Sequence, residues 1–256
     1  MEGSAMDPQG KTALITGGAH RLGRAITLAL AQAGCNVVIN YHKSGEAAEV
    51  TAAEARHYGV SALTWQADVA DSEQVGGMVQ AAVEHFGKVD ILINSASHFA
   101  KTPFPTDDLS TWHRVTAILI HGAFYCANAV APIMLNQGSG LIINIVDLSA
   151  WQPWPGFVAH SVGKAALLAL TRQLALELAP VVRVNAVAPG LILPPPDYTA
   201  PKIEHAVQRT LLRRWGNPED VTRAVLYLVA ADYVTGEVMV IDGGELLGRP
   251  KMYGVI

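Results

Sequence analysis

Cysteine is scarce in this sequence, basic runs are missing from it, and so are long uninterrupted apolar runs. The two cysteines, Cys35 and Cys126, offer no CxxC and no Cys/His spacing suited to a metal. Both sit in apolar, helix-like surroundings, so a reduced, cytosolic (cytoplasmic) chain is the expectation. No uninterrupted apolar run approaches the roughly 18–20 residues of a membrane-spanning helix. The N-terminus, MEGSAMDPQG, lacks a basic-then-apolar pattern, so no signal peptide is visible. Residues 1–9 read instead as a short flexible leader. Lys and Arg form no block and the net charge is −4, which argues against nucleic acid as a partner. Nine histidines are scattered without an HExxH or similar cluster, so no metal site is expected.

What is present is a chain of 256 residues, half of them apolar, enough for one large α/β core. Short apolar runs at 11–16, 36–40, 62–67, 90–94, 141–146, 182–188 and 237–241 read as strands. Helical patterns lie between them: 17–34 closing on Gly34, 41–59, 71–87, 109–135, the stretch carrying His160 and Lys164 to about Ala179, and 218–231. A Pro-rich loop, PGLILPPPDYTAP, follows the sixth strand. This alternation implies right-handed βαβ units and a single-domain, Rossmann-type doubly wound parallel sheet with helices on both faces. No repeat or linker divides residues 10–256.

Three places carry chemistry. Between the first strand and its helix, TGGAHRLG puts Gly17, Gly18 and Gly23 where backbone N–H groups and a helix N-terminus favour a pyrophosphate. It is not a clean GxGxxG, and a tight connection is the competing reading. The second strand ends in Tyr41, His42, Lys43 and Ser44, with Arg21 in the facing turn and no carboxylate. Two cations and a hydroxyl suit a 2′-phosphate, so NADP (NADPH) is favoured over NAD. The third place is LIINIVDLSAWQPWPGFVAHSVGK, residues 141–164, a buried strand ending on Asp147 and then a helix opening with His160 and Lys164 on one face. A carboxylate, an imidazole and an ammonium brought together there form a proton-handling cluster. A surface turn before a solvated helix is the alternative.

With these pieces placed, residues 10–244 resemble the short-chain dehydrogenase/reductase family. The resemblance is carried by Thr16-Gly17 through Gly23, Asp68-Val69, Asn94-Ser95-Ala96, Asn144, Lys164, Arg183-Val184-Asn185, Pro189-Gly190, Thr235-Gly236 and Asp242-Gly243-Gly244. Within that family the chain looks most like the pteridine reductases, on Arg21, the run Tyr41-His42-x-Ser44, Ser97, Phe99, Asp147, Gln152-Pro153 and Leu191. The resemblance implies an extended NADPH touching Thr16, Gly17, Arg21, Leu22, Gly23, Val69, Ser95, Ala96, Lys164, Pro189 and Gly190, with Asp68 near the adenine and Asn94 near the nicotinamide ribose. It also implies a flat heteroaromatic substrate stacked on Phe99, with Ser97 as a polar handle. Phe99 as plain core filler is the competing reading. Asp147, in place of the family's serine, would be a carboxyl raised by an apolar site and able to protonate a ring nitrogen.

The chain departs from the family twice. Its YxxxK motif is His160-Ser161-Val162-Gly163-Lys164 here, and Leu119 stands where an asparagine usually holds a relay water. The expectation is that Asp147 and His160 share the proton-donor role while Lys164 keeps the ribose contact. Three functions follow: reduction of a cyclic C=N such as a pterin or imine, reduction of a ketone in a pocket shaped by Trp151, Trp154 and Pro194-Pro195-Pro196, or NADPH binding without catalysis. Family membership further implies a homotetramer or dimer built through the two long helices after the fourth and fifth strands.

Overall fold

Each strand run is apolar on both faces, so it is stable only between two layers of helix. In the computed structural model, which describes residues 6–195 and 198–248, that is where the strands lie. They are β1 (Thr12–Ile15), β2 (Asn36–Tyr41), β3 (Ala62–Gln66), β4 (Ile91–Asn94), β5 (Gly140–Ile145), β6 (Val182–Pro189) and β7 (Val238–Ile241). All pair in parallel, in the order β3-β2-β1-β4-β5-β6-β7. The order reverses between β1 and β4, which opens a crevice at the carboxyl edge where such sheets bind ligands.

The helices are α1 (Arg21–Gln32), α2 (Gly45–Arg56), α3 (Ser72–Phe86), α4 (Ser110–Thr116), α5 (Ala123–Gln137), α6 (Val158–Leu178), α7 (Ala200–Val207) and α8 (Pro218–Ala230). Side chains alternate across each strand: Ala13 and Ile15 pack with α1, α2 and α8, while Leu14 packs with α3 and α5. The ends are chemically marked. The Asp71 carboxylate accepts from the Glu73 and Gln74 amides at the start of α3, and Gly87 closes it at φ +76.

A π-helical turn, Ala117–Gly122, joins α4 to α5. The continuous 28-residue helix, Ser110–Gln137, is long and apolar enough to span a bilayer. Its apolar face is instead spent on the sheet, with Cys126, Val130 and Met134 buried there. Burial pushes the Cys126 thiol up to about 12 and, with the neighbouring Asp90 and Asp7, the Cys35 thiol likewise.

Part of the expected leader is packed. Met6 rests on the core, and the Pro8 carbonyl accepts from the Lys11 amide (3.1 Å) and the Cys35 thiol (3.2 Å). Residues 1–5 of that leader, Pro196 and residues 249–256 lie outside the described residues. Helix α7, in a stretch that reads as Pro-rich loop and its sequel, starts at Ala200 and carries Pro201 in its first turn, where the fixed φ of proline fits.

Candidate active site

The turn after β1 is built by close approach. Gly17 has φ +62, and a Cβ there would lie 3.0 Å from the Ala96 Cα. A Cβ on Gly23 would lie 2.2 Å from the Gly17 carbonyl oxygen, so only glycine lets α1 sit this near the turn. The Thr16 hydroxyl accepts from the Ser95 and Ala96 amides at 3.0 Å each, tying the turn to the end of β4. The Gly17 amide donates to the Asn40 side chain at 3.2 Å. Helix α1 has no side-chain cap, which leaves its first-turn N–H groups for an anion. Leu22 is partly buried against the core.

Arg21 does not face the end of β2 as the sequence implied. Its guanidinium donates to the Leu193 carbonyl at 2.9 Å and to the Pro194 carbonyl at 3.4 Å, on the loop after β6. At the end of β2, His42 and Lys43 are exposed, and Ser44 stands at the N-cap of α2 without using its hydroxyl as a cap. The ring of Tyr41 packs beside Gly45, where a Cβ would come within 3.4 Å. Asp68 accepts from the Ala70 amide (3.0 Å) and from Arg114 (2.5 Å). Burial alone would raise its carboxyl, but Arg114 and that amide hold it below its ordinary range. Val69 is buried and would clash with any Cβ on Gly122, at 2.8 Å. Arg114 was missed in the sequence because nothing local marks it; only the fold carries α4 over to β2 and β3.

At the end of β5 the three expected residues do meet. His160 Nε2 is 2.7 Å from Asp147 Oδ2, while Oδ1 accepts from the Ser149 amide (3.0 Å) and hydroxyl (2.5 Å). The buried Lys164 ammonium donates to the Ile145 carbonyl at 2.7 Å. The expectation of a raised, protonated Asp147 is reversed. Burial does push that way, but the His160 hydrogen bond and the nearby Lys164 charge outweigh it, and the carboxyl is held below its ordinary value. Burial pulls the Lys164 ammonium down, opposed by the Asp147 charge. His160 Nδ1 is buried with no protein partner. Ser149 was also missed: Ser two residues beyond an acid is a common local turn pattern.

Asn94 joins a buried chain, donating to Asn144 (2.9 Å), which donates to Thr171 (2.9 Å). Its own Oδ1 has no protein partner. A hollow of about 10 Å³ beside it is lined by Thr16, Asn94, Leu119 and Ala123, at the lower limit for a single water. Leu119 fills the rest of this flank, and a Cβ on Gly163 would lie 2.7 Å from its Cδ1.

Phe99 is 55% exposed, which removes the core-filler reading. Its ring stacks on Phe157 at 4.5 Å and meets His160 edge-on at 4.9 Å, while Trp154 stacks on His160 at 5.8 Å. Phe157 had no signal beyond being aromatic. Ser97 is exposed and Trp151 is 36% exposed. Pro189 ends β6, and Gly190 lies so close to Asp242 that a Cβ would meet its Cβ at 2.7 Å. Among the described residues, no group of three or more His, Cys, Asp or Glu is placed to hold a metal.

A family model described as enoyl-(acyl carrier protein) reductase matches residues 17–245. A 3-oxoacyl-(acyl-carrier-protein) reductase of Synechocystis is 36% identical over 93% of this chain and 97% of its own length. The 3beta-hydroxysteroid dehydrogenase 1 of Eggerthella lenta is 35% identical over 97% and 98%. Among solved structures, acetoin dehydrogenase YohF from Salmonella typhimurium superposes with a TM-score of 0.86 at 32% identity, covering 94% of this chain and 98% of that one. An NAD+-bound xylitol dehydrogenase does so with 0.86 at 30%, covering 92% and 99%. The family model spans most of the chain and the relatives match it along almost its whole length on the same doubly wound fold, so the chain belongs to the short-chain dehydrogenase/reductase family.

Proposed function

We propose that the protein is an NADPH-dependent reductase of a carbonyl substrate in which Asp147 and His160 together handle the proton. The observation that carries this reading is the 2.7 Å contact between His160 Nε2 and Asp147 Oδ2 beside a buried lysine. The turn at Thr16, Gly17 and Gly23 with the free amides of α1 suits a pyrophosphate, and the family resemblance assigns Lys164 and Asn94 to the nicotinamide ribose. A bound dinucleotide would supply the hydride. An absent carboxylate after β2, with His42, Lys43 and Ser44 in its place, favours the phosphorylated form.

An ionised Asp147 is no acid, so His160 offers its N–H to the substrate oxygen, and the alkoxide formed as hydride arrives would draw its proton from solvent through that imidazole. A carbonyl oxygen entering this contact takes up negative charge as hydride reaches its carbon, and the imidazole N–H stabilises it. Asp147 in turn fixes the ring, with Ser149 fixing Asp147. Phe99 and Trp154, with ring centroids 6.1 Å apart, offer an apolar wall for the remainder of the substrate, and Trp151 is assigned to the same pocket from its place in the loop after β5. The 3-oxoacyl reductases among the relatives support a ketone.

A second reading, a cyclic C=N such as a pterin or imine, is favoured by the ionised Asp147 itself. A protonated imine is a cation and gains from a carboxylate in its site, and the half-exposed ring of Phe99 offers it a stacking face. This is also where the pteridine reductase-like motifs point. The apolar strip of Ile120, Phe124, Ala169 and Leu170 between α5 and α6 supports an oligomer, a dimer or tetramer, through these helices.

The deciding experiment follows loss of NADPH absorbance with a 3-oxoacyl thioester, a cyclic imine and a dihydropterin, in the wild type and in His160→Phe. The expected outcome is turnover of the thioester that His160→Phe removes. Faster turnover of the imine or pterin selects the second reading. No substrate-dependent loss with any of the three leaves a cofactor-binding protein without catalysis.

A further inference from the structure

At the β2–β3 end of the crevice Arg114 joins Asp68 and His42 in one cluster. Arg114 belongs to α4, which follows β4, yet its guanidinium lies against the ends of β3 and β2, two places beyond β1's near side in the sheet order. Nη1 donates to Asp68 Oδ2 at 2.5 Å, and Nη2 lies 3.3 Å from His42 Nδ1. A guanidinium can only donate, so Nδ1 is the acceptor and the imidazole proton sits on Nε2. Nε2 is in turn 3.9 Å from Asp68 Oδ2, so the three side chains close a triangle. Lys43 and Ser44 follow directly, and Ser44 leaves its hydroxyl free of the helix cap.

The charge balance makes this triangle informative. The Asp68 carboxyl, held below its ordinary range by Arg114, stands beside His42 at the end of β2, and an unpaired carboxylate there would repel a second anion. Arg114 cancels that charge and has N–H groups left over, since it carries five and uses two. Arg21, the other arginine in reach by sequence, is committed to the Leu193 and Pro194 carbonyls. We infer that Arg114, brought to the end of β2 by α4 and seated between Asp68 and His42, is the guanidinium that receives the adenosine 2′-phosphate and so sets the preference for the phosphorylated dinucleotide.

This rests on the NADPH reading given above, and binding of the cofactor's adenosine half separates the two. Adenosine 2′,5′-bisphosphate and adenosine 5′-monophosphate are titrated by calorimetry into the wild type, Arg114→Gln, Arg114→Lys and Asp68→Asn/Arg114→Gln. The wild type should prefer the bisphosphate. Arg114→Gln should lose about tenfold to a hundredfold in bisphosphate affinity, the value of a hydrogen bond to a charged group, with little change for the monophosphate. Arg114→Lys should keep part of the preference as a point charge, and neutralising Asp68 in the double variant should restore part of what Arg114→Gln loses. If the wild type shows no preference, the NADPH reading itself falls and this inference with it. If the wild type prefers the bisphosphate and Arg114→Gln keeps that preference, or loses both ligands equally, Arg114 is only a structural partner of Asp68 and the inference alone is overturned. Should Arg114→Gln fail to fold, a partial loss of the bisphosphate preference in Arg114→Lys supports the inference and full retention overturns it.

Discussion

Replacing Asp147 with asparagine keeps the shape of the side chain and removes its charge. Ser149 donates twice to Oδ1, so the new amide keeps its oxygen there and turns its NH2 toward His160. Nε2, 2.7 Å away, then faces a donor and must become an acceptor. The ring proton moves to Nδ1, which is buried without a protein partner. A buried donor left unpaired costs about 1–3 kcal/mol, the expected loss of stability in urea unfolding at neutral pH. If the same amount is lost from the transition state, turnover falls about tenfold to a hundredfold. The pH dependence has a definite sign. The Asp147 carboxyl is depressed in the folded protein, so its contribution is full above the unfolded value of about 3.9 and vanishes as pH falls through the folded value. The stability gap between wild type and variant is therefore open at neutrality and closes in strong acid. A variant as stable and active as the wild type at neutral pH, or a gap that widens on acidification, refutes the reasoning.

Two further variants probe the packing around the site. Gly23→Ala puts a methyl 2.2 Å from the Gly17 oxygen and should cost about 1–3 kcal/mol in thermal or urea unfolding while weakening NADPH affinity; an unchanged midpoint and affinity would refute the close-approach argument. Leu119→Asn buries an amide among Val115, Ala159 and Gly163 and should destabilise by about 2–5 kcal/mol without raising turnover; a large gain in turnover would mean the relay position still matters.

The order of elements was largely legible because the central strands are apolar runs and some helices are marked at their ends, as α3 is at Asp71 and Gly87; α7 carried no such mark and was read as loop. Strand order was legible only through the βαβ rule and the family resemblance, because pairing is decided by residues far apart in the chain. Asp147, His160 and Lys164 were legible as neighbours, since four-residue spacing and a strand end place them together. The protonation state of Asp147 was not, because it depends on three donors converging on one carboxylate. Arg21 illustrates the opposite failure: its position in the turn was clear, but its side chain found carbonyls on a loop some 170 positions away, 172 residues for Leu193. Arg114 is the mirror case, an ordinary helix residue until α4 is laid over the ends of β2 and β3.

The His160 ring is buried, with Trp154 stacked on it and Phe99 edge-on to it. A ring enclosed in this way would exchange protons with solvent past those two aromatic side chains, on the side of the crevice where substrate enters. Reloading the acid and discharging the product would thus share one doorway, making the two events sequential rather than independent.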